Sequence, residues 1–309
     1  MRNTFAKALT KKAAQNSNLF LLYGDIGNKL FDDFKQLRPK NFVNAGVAEA
    51  NMVGVAAGLA KSGFLPIVYT INSFLSLKTI EQIKIDICYQ NLPVILVGTG
   101  SALSYSNLGT THHSLEDFAL LSAIPNLKVL APADSSELEH SFDYALTSKS
   151  PCYIRIGKKG EKNFTDYTNT DYELGIKKIF TSENSKVLLL STGSIAGEVF
   201  SASMQLRSEN IPVDFWTLPL IKPISDSTLA EILTPGHVVI IIEEHTSYGG
   251  LSSILAYANQ FTHRTDSKLF TLNTGDQFHN ASGNLSEIRE KLGLDSLGIV
   301  NVVKNILCT

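Results

Sequence analysis

Short apolar runs alternate with segments of helical spacing along almost the whole chain, and this alternation restricts the fold more than any other feature. Residues 19–23, 66–70, 93–98, 128–131 and 152–156 are brief, apolar and bounded by Gly, Pro, Asn or Asp. Segments 48–61, 79–88 and 135–147 lie between them with helical periodicity, the last opened by the N-cap signal Asp134-Ser135-Ser136-Glu137. Apolar strands joined by helices predict a parallel sheet covered on both faces. From about Lys162 to Asn184 the composition turns polar, and a second alternation follows. Its strands are expected over 186–191, 213–218 and 238–243, and its helices over 197–209, 226–233, 251–258 and 285–292. The expected fold is therefore two doubly wound α/β domains, residues 1–165 and 185–309, with a linker over 166–184.

A length of 309 residues, 44% of them apolar, suffices for two cores at roughly 150 residues per domain. Lys and Arg number 27 against 29 Asp and Glu, a net charge of −2, which excludes the basic footprint of a nucleic-acid binder. The longest apolar stretches fall far short of the ~20 residues a membrane span needs. Lys7, Lys11 and Lys12 are not followed by an apolar secretory core. The cysteines Cys88, Cys152 and Cys308 are odd in number and form no CxxC pair, which suits a reducing compartment, and a cytoplasmic location is expected.

The stretch Asn44 to Ala60 is the most informative. Gly46, Ala50, Gly54 and Gly58 recur every four residues, so a helix here has one face almost free of side chains that another backbone can approach. Glu49 is the only charge between Lys40 and Lys61. A carboxylate left unpaired in such surroundings costs several kcal/mol, so Glu49 requires a partner. Periodicity alone favours the plainer reading, a charge on the helix dipole.

GVAEANMVGVAAGLAKSGFLP resembles the pyrimidine-binding motif of transketolase-like thiamine diphosphate enzymes, close to G-I-A-E-Q-N-M-x-G-x-A-x-G-L-A-x-x-G. The similarity continues, in order, through Gly24-Asp25-Ile26-Gly27, Leu92-Pro93-Val94-Ile95, Gly109-Thr110-Thr111-His112-His113, Ile124-Pro125-Asn126-Leu127 and Ala131-Pro132-Ala133-Asp134. It then runs through Ser191-Thr192-Gly193-Ser194, Ile221-Lys222-Pro223-Ile224, Glu243-Glu244-His245 and Gly249-Gly250-Leu251, which are similar to the family's C-terminal domain. The Gly-Asp-Gly of the family's diphosphate-binding domain has no counterpart, because neither Gly24-Asp25 nor Gly275-Asp276 is followed by glycine. The resemblance therefore implies the second half of a split transketolase. Such a half-enzyme is a transferase of two-carbon ketol units between sugars, active only beside a separate N-terminal subunit that supplies the Mg²⁺ ligands, in an α2β2 assembly.

The resemblance also implies residue roles. Glu49 is the carboxyl group that bonds the cofactor pyrimidine at N1′, in a dry site that favours its protonated form; it is also catalytic. Phe74 packs on that ring and Asp25 lies near the cofactor. His112 is the substrate-contacting, catalytic histidine, His113, standing where the family has glutamine, is a second substrate contact, and Arg2 and Lys158 match basic phosphate contacts. Adjacent histidines point to different faces and no acidic or Cys cluster completes a set, so no metal site is expected. Glu243-Glu244-His245 reads as a solvated strand end, Gly249-Gly250 as a plain turn, and Cys88 as a buried hydrophobe. Two departures bear on substrate: Gly100 stands where a phosphate-contacting histidine is expected, and Leu108 where an aspartate reads a sugar hydroxyl. They imply a modified or deoxy sugar, including a nucleotide-linked one, in place of the usual pentose phosphates. The rival readings are the β subunit of a 2-oxoacid dehydrogenase first component and a catalytically silent paralogue.

Overall fold

The structure, a computed structural model, describes residues 1–308 apart from 28, 159, 166–174, 184, 281 and 282. Twelve strands are defined among the described residues: β1 (Leu19–Tyr23), β2 (Phe42–Asn44), β3 (Leu65–Ile71), β4 (Ile95–Thr99), β5 (Lys128–Leu130), β6 (Cys152–Ile156), β7 (Lys177–Phe180), β8 (Val187–Ser191), β9 (Asp214–Thr217), β10 (Leu220–Lys222), β11 (Val238–Ile242) and β12 (Lys268–Leu272). They form a seven-stranded sheet, β10-β5-β6-β4-β3-β1-β2, and a five-stranded sheet, β12-β11-β8-β9-β7. Both are parallel except at one edge, where β10 runs antiparallel to β5 and β7 antiparallel to β9.

Alternate residues of each central strand enter opposite cores. In β1, Phe20 and Leu22 join one apolar cluster while Leu19 and Leu21 join the other. Likewise Val187 and Leu189 of β8 face one cluster of the second sheet, and Leu188 and Leu190 the other. Both faces being covered is why these strands lack polar alternation. The helices Arg2–Gln15 and Ser135–Thr147 cover one face of the first sheet through Phe5, Leu9, Leu138 and Phe142. The helix Glu49–Lys61 covers the other through Met52, Val53 and Ala56. Asp134 caps Ser135–Thr147 as its sequence predicts, accepting from the Ser136 and Glu137 amides at 3.0 Å each.

Three segments depart from expectation. Residues 177–180 of the expected linker form β7, the edge of the second sheet; residues 166–174 and 184 of that linker lie outside the described residues. Strand β10 follows the second domain's β9 in sequence yet completes the first sheet, its Lys222 ammonium accepted by the Ser122 carbonyl at 2.8 Å and the Ile124 carbonyl at 2.5 Å. The helical spacing over 79–88 resolves into a break at Thr79, a turn at Ile80–Gln82 and a π-helical stretch Ile83–Cys88.

Candidate active site

The predicted site residues other than Arg2, which begins the first helix, follow the carboxyl ends of parallel strands. Asp25 comes after β1, Glu49 after β2, Phe74 after β3, the loop 100–113 after β4 and Lys158 after β6. The sheet reverses its winding between β1 and β3, with β2 on one side and β3 on the other, and doubly wound sheets place ligands at that switch point. Gly24 makes the turn out of β1 beside β3, where a Cβ would press on Thr70 at 2.7 Å from Oγ1. Beyond it, Asp25 Oδ1 accepts from the Asn44 amide nitrogen at 2.8 Å, tying the ends of β1 and β2 together.

Glu49 is the first residue of its helix and only 3% exposed. Its required partner is Lys78, whose Nζ lies 2.7 Å from Oε2. The same ammonium sits 5.0 Å from the centroid of the Phe74 ring, so Lys78 spans the gap between carboxylate and ring. Its side chain is 53% exposed and is free to be displaced. Phe74 and Lys78 share one face of the helix Asn72–Lys78 at i, i+4 spacing, which is the signal that could have identified Lys78 beforehand. A buried carboxyl group and an aromatic face held apart by a displaceable cation fit a planar, nitrogen-bearing ring.

An aromatic series leads onward. The Phe74 and His112 rings lie 5.2 Å apart, and His112 and Tyr105 5.7 Å apart. Lys158 Nζ stands 4.4 Å above Tyr105 and lines a cleft of about 510 Å³ with Ser104, Ser106, Asn107 and Arg289. His112 Nδ1 pairs with the Thr111 hydroxyl at 2.9 Å, leaving Nε2 as the nitrogen available to a substrate. Burial, with Lys158 nearby, pushes this imidazole below its ordinary value, so it is neutral at pH 7. The Arg2 charge acts on Tyr105 and Tyr69, and its buried Nε has no hydrogen-bond partner among the described residues. Gly100 has φ +77°, and a Cβ there would overlap the Tyr105 ring. Leu108 is 45% exposed. Among the described residues no group of three or more His, Cys, Asp or Glu could hold a metal ion.

His113 does not join this series: it is 4% exposed, and neither ring nitrogen has a hydrogen-bond partner among the described residues. Burial foremost, with His279 adding to it and Glu244 opposing, pushes its imidazole below the ordinary value. Between that lowered value and the unfolded value of about 6.5, the unfolded chain holds the extra proton, so stability falls as pH drops below about 6.5. Thermal unfolding from pH 8 to 5 should thus show a weaker pH dependence for His113→Leu than for the wild type; parallel curves would count against it.

Behind the site lies a buried polar network that joins the two halves. Asp117 accepts from the Asn72 amide at 2.8 Å, the Tyr153 hydroxyl at 2.5 Å and Arg155 Nη1 at 3.2 Å. Arg155 Nη2 donates to the Glu244 carbonyl at 2.8 Å. Glu243-Glu244-His245 is therefore not a solvated strand end. Glu243 accepts from the Leu251 and Ser252 amides at 2.7 and 3.0 Å. Glu244 accepts from Arg289 Nε at 2.8 Å, and His245 stacks on Phe118 at 5.3 Å. The two carboxylates are held by groups of the second domain itself, while the His245 ring and the Glu244 carbonyl meet Phe118 and Arg155 of the first. Gly249, at φ +79°, lies against Ala119, where a Cβ would collide.

Comparison with known proteins matches residues 1–160 to the transketolase pyrimidine binding domain and residues 177–298 to the transketolase C-terminal domain. An apulose-4-phosphate transketolase subunit of Actinobacillus succinogenes is 31% identical over 87% of this chain and 85% of its own length. The 6-deoxy-6-sulfo-D-fructose transketolase subunit SqwH of a Clostridium species is 28% identical over 99% and 94%. Among solved structures, a split gene transketolase in the form of an inactive beta4 tetramer aligns with TM-score 0.84 at 26% identity, covering 98% of this chain and 96% of that one. The transketolase of Campylobacter jejuni shares the fold at 17% identity and TM-score 0.82, and the match spans 46% of that longer chain.

Proposed function

The chain belongs to the transketolase family, with its pyrimidine-binding and C-terminal domains in one polypeptide, and from that premise we propose that it is the pyrimidine-binding subunit of a split, thiamine diphosphate-dependent transketolase that moves a two-carbon ketol unit between sugars. The observation that carries this reading is Glu49, a buried carboxyl group whose one ion-pair partner among the described residues is a half-exposed lysine. In this reading residues 1–165, completed by strand β10, form the domain that holds the pyrimidine, and the rest of the chain from β7 onward forms the C-terminal domain.

In this reading Glu49 holds a proton-sharing hydrogen bond at the pyrimidine N1′, Phe74 packs on that ring, and Asp25 supports the turn beside it. When bound, thiamine diphosphate supplies the nucleophilic carbon and the electron sink that cleavage of a ketose requires. Lys78 leaves Glu49 for that bond to form. His112, neutral and with Nε2 available, takes or returns a proton at a substrate hydroxyl. His113 backs the same loop from within the core, and Arg2 and Lys158 meet an anionic substituent.

The diphosphate and its Mg²⁺ fall to a separate N-terminal subunit, two copies of each assembling together in the cytoplasm. Beyond its neighbours in sequence, no described residue comes within 4 Å of where a Cβ would stand at Gly46 or Gly58, and Val47, Val55, Leu77, Ile85 and Tyr89 are exposed. An uncovered small-residue face beside an apolar patch supports a partner seated there. Gly100 and Leu108, with relatives named for apulose-4-phosphate and 6-deoxy-6-sulfo-D-fructose, support a modified or deoxy sugar as substrate. Titration calorimetry and steady-state kinetics test this together. Tight cofactor and Mg²⁺ binding is expected of the reconstituted complex and not of the chain alone, with poor turnover of xylulose 5-phosphate and ribose 5-phosphate. Tight binding by the isolated chain, or ordinary transketolase specificity for those sugars, would overturn it.

A further inference from the structure

We propose that Lys78 is a positioning residue that acts through Glu49: its ammonium occupies the place the cofactor ring would take, and its departure couples entry of that ring to the uptake of a proton by Glu49. The inference deepens the proposed function and rests on that reading for the identity of the ring; the place of Lys78 rests on distances. Its Nζ lies 2.7 Å from Glu49 Oε2 and 5.0 Å from the centroid of the Phe74 ring. A single cation therefore engages both groups assigned to the pyrimidine, the one for its nitrogen and the one for its face. Ammonium and ring exclude one another. Neither side chain makes another hydrogen bond or ion pair among the described residues. Lys78 ends the helix Asn72–Lys78, which breaks at Thr79 with φ −120° and ψ 14°. With its side chain 53% exposed, the ammonium can leave for water without unpacking that helix. Glu49 cannot follow, being the buried first residue of its own helix.

The exchange moves a proton. Paired with an ammonium, Glu49 is a carboxylate, whereas the ring nitrogen calls for a carboxyl group that shares a proton. Lys78 keeps its own proton on returning to water. The proton therefore comes from solvent and ends between Glu49 and the ring nitrogen, with the charge of Lys78 unaltered. Other titratable groups on the elements packed against this helix stand apart. Glu81 and Lys84, beyond Thr79, are exposed, and Asp86 lies against Gly54, more than one turn further along the helix. Asp25 is held by Asn44, Tyr23 and Tyr69 belong to the apolar cluster on the opposite face of the sheet, and burial keeps Cys88 a thiol, pushed up to about 12. The pair is also asymmetric. Removing Lys78 leaves a buried carboxylate without its cation, while removing the charge of Glu49 leaves an exposed lysine that regains water.

Binding and melting measurements on Lys78 and Glu49 variants decide the matter. In the reconstituted complex, Lys78→Met should bind thiamine diphosphate with Mg²⁺ more tightly than the wild type by up to about fivefold, the worth of an ion pair with one exposed member. In the isolated chain the same variant should lower the melting temperature by more than Glu49→Gln does. A residue that only stabilised the fold would weaken both. Lys78→Arg keeps the pair and should bind the cofactor no more tightly than the wild type. Titration calorimetry in phosphate and in Tris at the same pH counts protons: the wild type should take up about one more per site than Glu49→Gln, and Lys78→Met fewer than the wild type. Weaker cofactor binding by Lys78→Met, or equal proton counts for the wild type and Glu49→Gln, would overturn the proposal. Should the complex bind no thiamine diphosphate, the proposed function fails by itself, and 4-amino-2-methylpyrimidine titrated into the full chain by NMR still decides this point. Tighter binding of that ring by Lys78→Met supports the proposal; equal or weaker binding, or none by either chain, defeats it.

Discussion

Replacing Glu49 with glutamine should lower turnover of the assembled enzyme by about 10²- to 10⁴-fold, the usual cost of a well-placed acid–base group, while the chain still folds. The amide is nearly isosteric, so the packing of Met52 and Val53 one turn further along the helix is undisturbed. It cannot share a proton at the pyrimidine nitrogen as a carboxyl group does, and that difference alone carries the effect. The ion pair to Lys78 is lost as well, but Lys78 is half-exposed and regains water, which keeps the stability cost small. Single-turnover and steady-state assays of the complex, together with a melting curve of the isolated chain, check this. Activity near the wild-type level would remove Glu49 from the mechanism.

The largest stability effect is expected of Asp117→Ala, a residue no motif singles out. Its carboxylate and the Arg155 guanidinium are both buried, and deleting one member of a buried pair leaves the other uncompensated at a cost of about 3–5 kcal/mol. The melting temperature should fall by on the order of 10 °C, since each kcal/mol is worth roughly 2–4 °C in a chain of this general size. Asn72 loses one of its partners at the same time, and it begins the helix that presents Phe74 and Lys78, so cofactor affinity in the complex should fall too. Asp117→Asn keeps the volume and should recover part of both losses. A destabilisation below about 1 kcal/mol in urea unfolding would mean that the network is not acting as a buried ion pair.

The parts of the fold legible in the sequence are those governed by local pattern. The runs 19–23 and 152–156 coincide with β1 and β6, and 135–147 with its helix, because a doubly covered strand is apolar throughout and Asp134 announces its helix by capping chemistry. Edge strands were not legible: β2 has no buried residue, and β10 is a three-residue segment whose partner lies some ninety residues earlier. The site divides in the same way. Glu49 stands out because it is a lone charge in an apolar stretch, whereas Lys78 is one lysine among many until the helix places it over Phe74. The Gly100–Tyr105 exclusion depends on a loop conformation, and the buried state of Glu243-Glu244-His245 on partners distant in sequence such as Arg289 and Phe118. Neither has a periodic signature.

Strand β10 also limits how genes of this kind can be recombined. It is encoded after the second domain begins but hydrogen-bonds to β5, pairing Leu220 with Leu130 and Lys222 with Val129. A chimera joined near residue 165 would take six strands of the first sheet from one parent and the seventh from the other. The mismatch would fall on that short ladder and on the Lys222 contacts to Ser122 and Ile124. Exchange of substrate preference between relatives is therefore better made by transplanting the loop 100–113 together with position 158, which leaves both sheets whole, than by swapping halves at the boundary the motifs suggest.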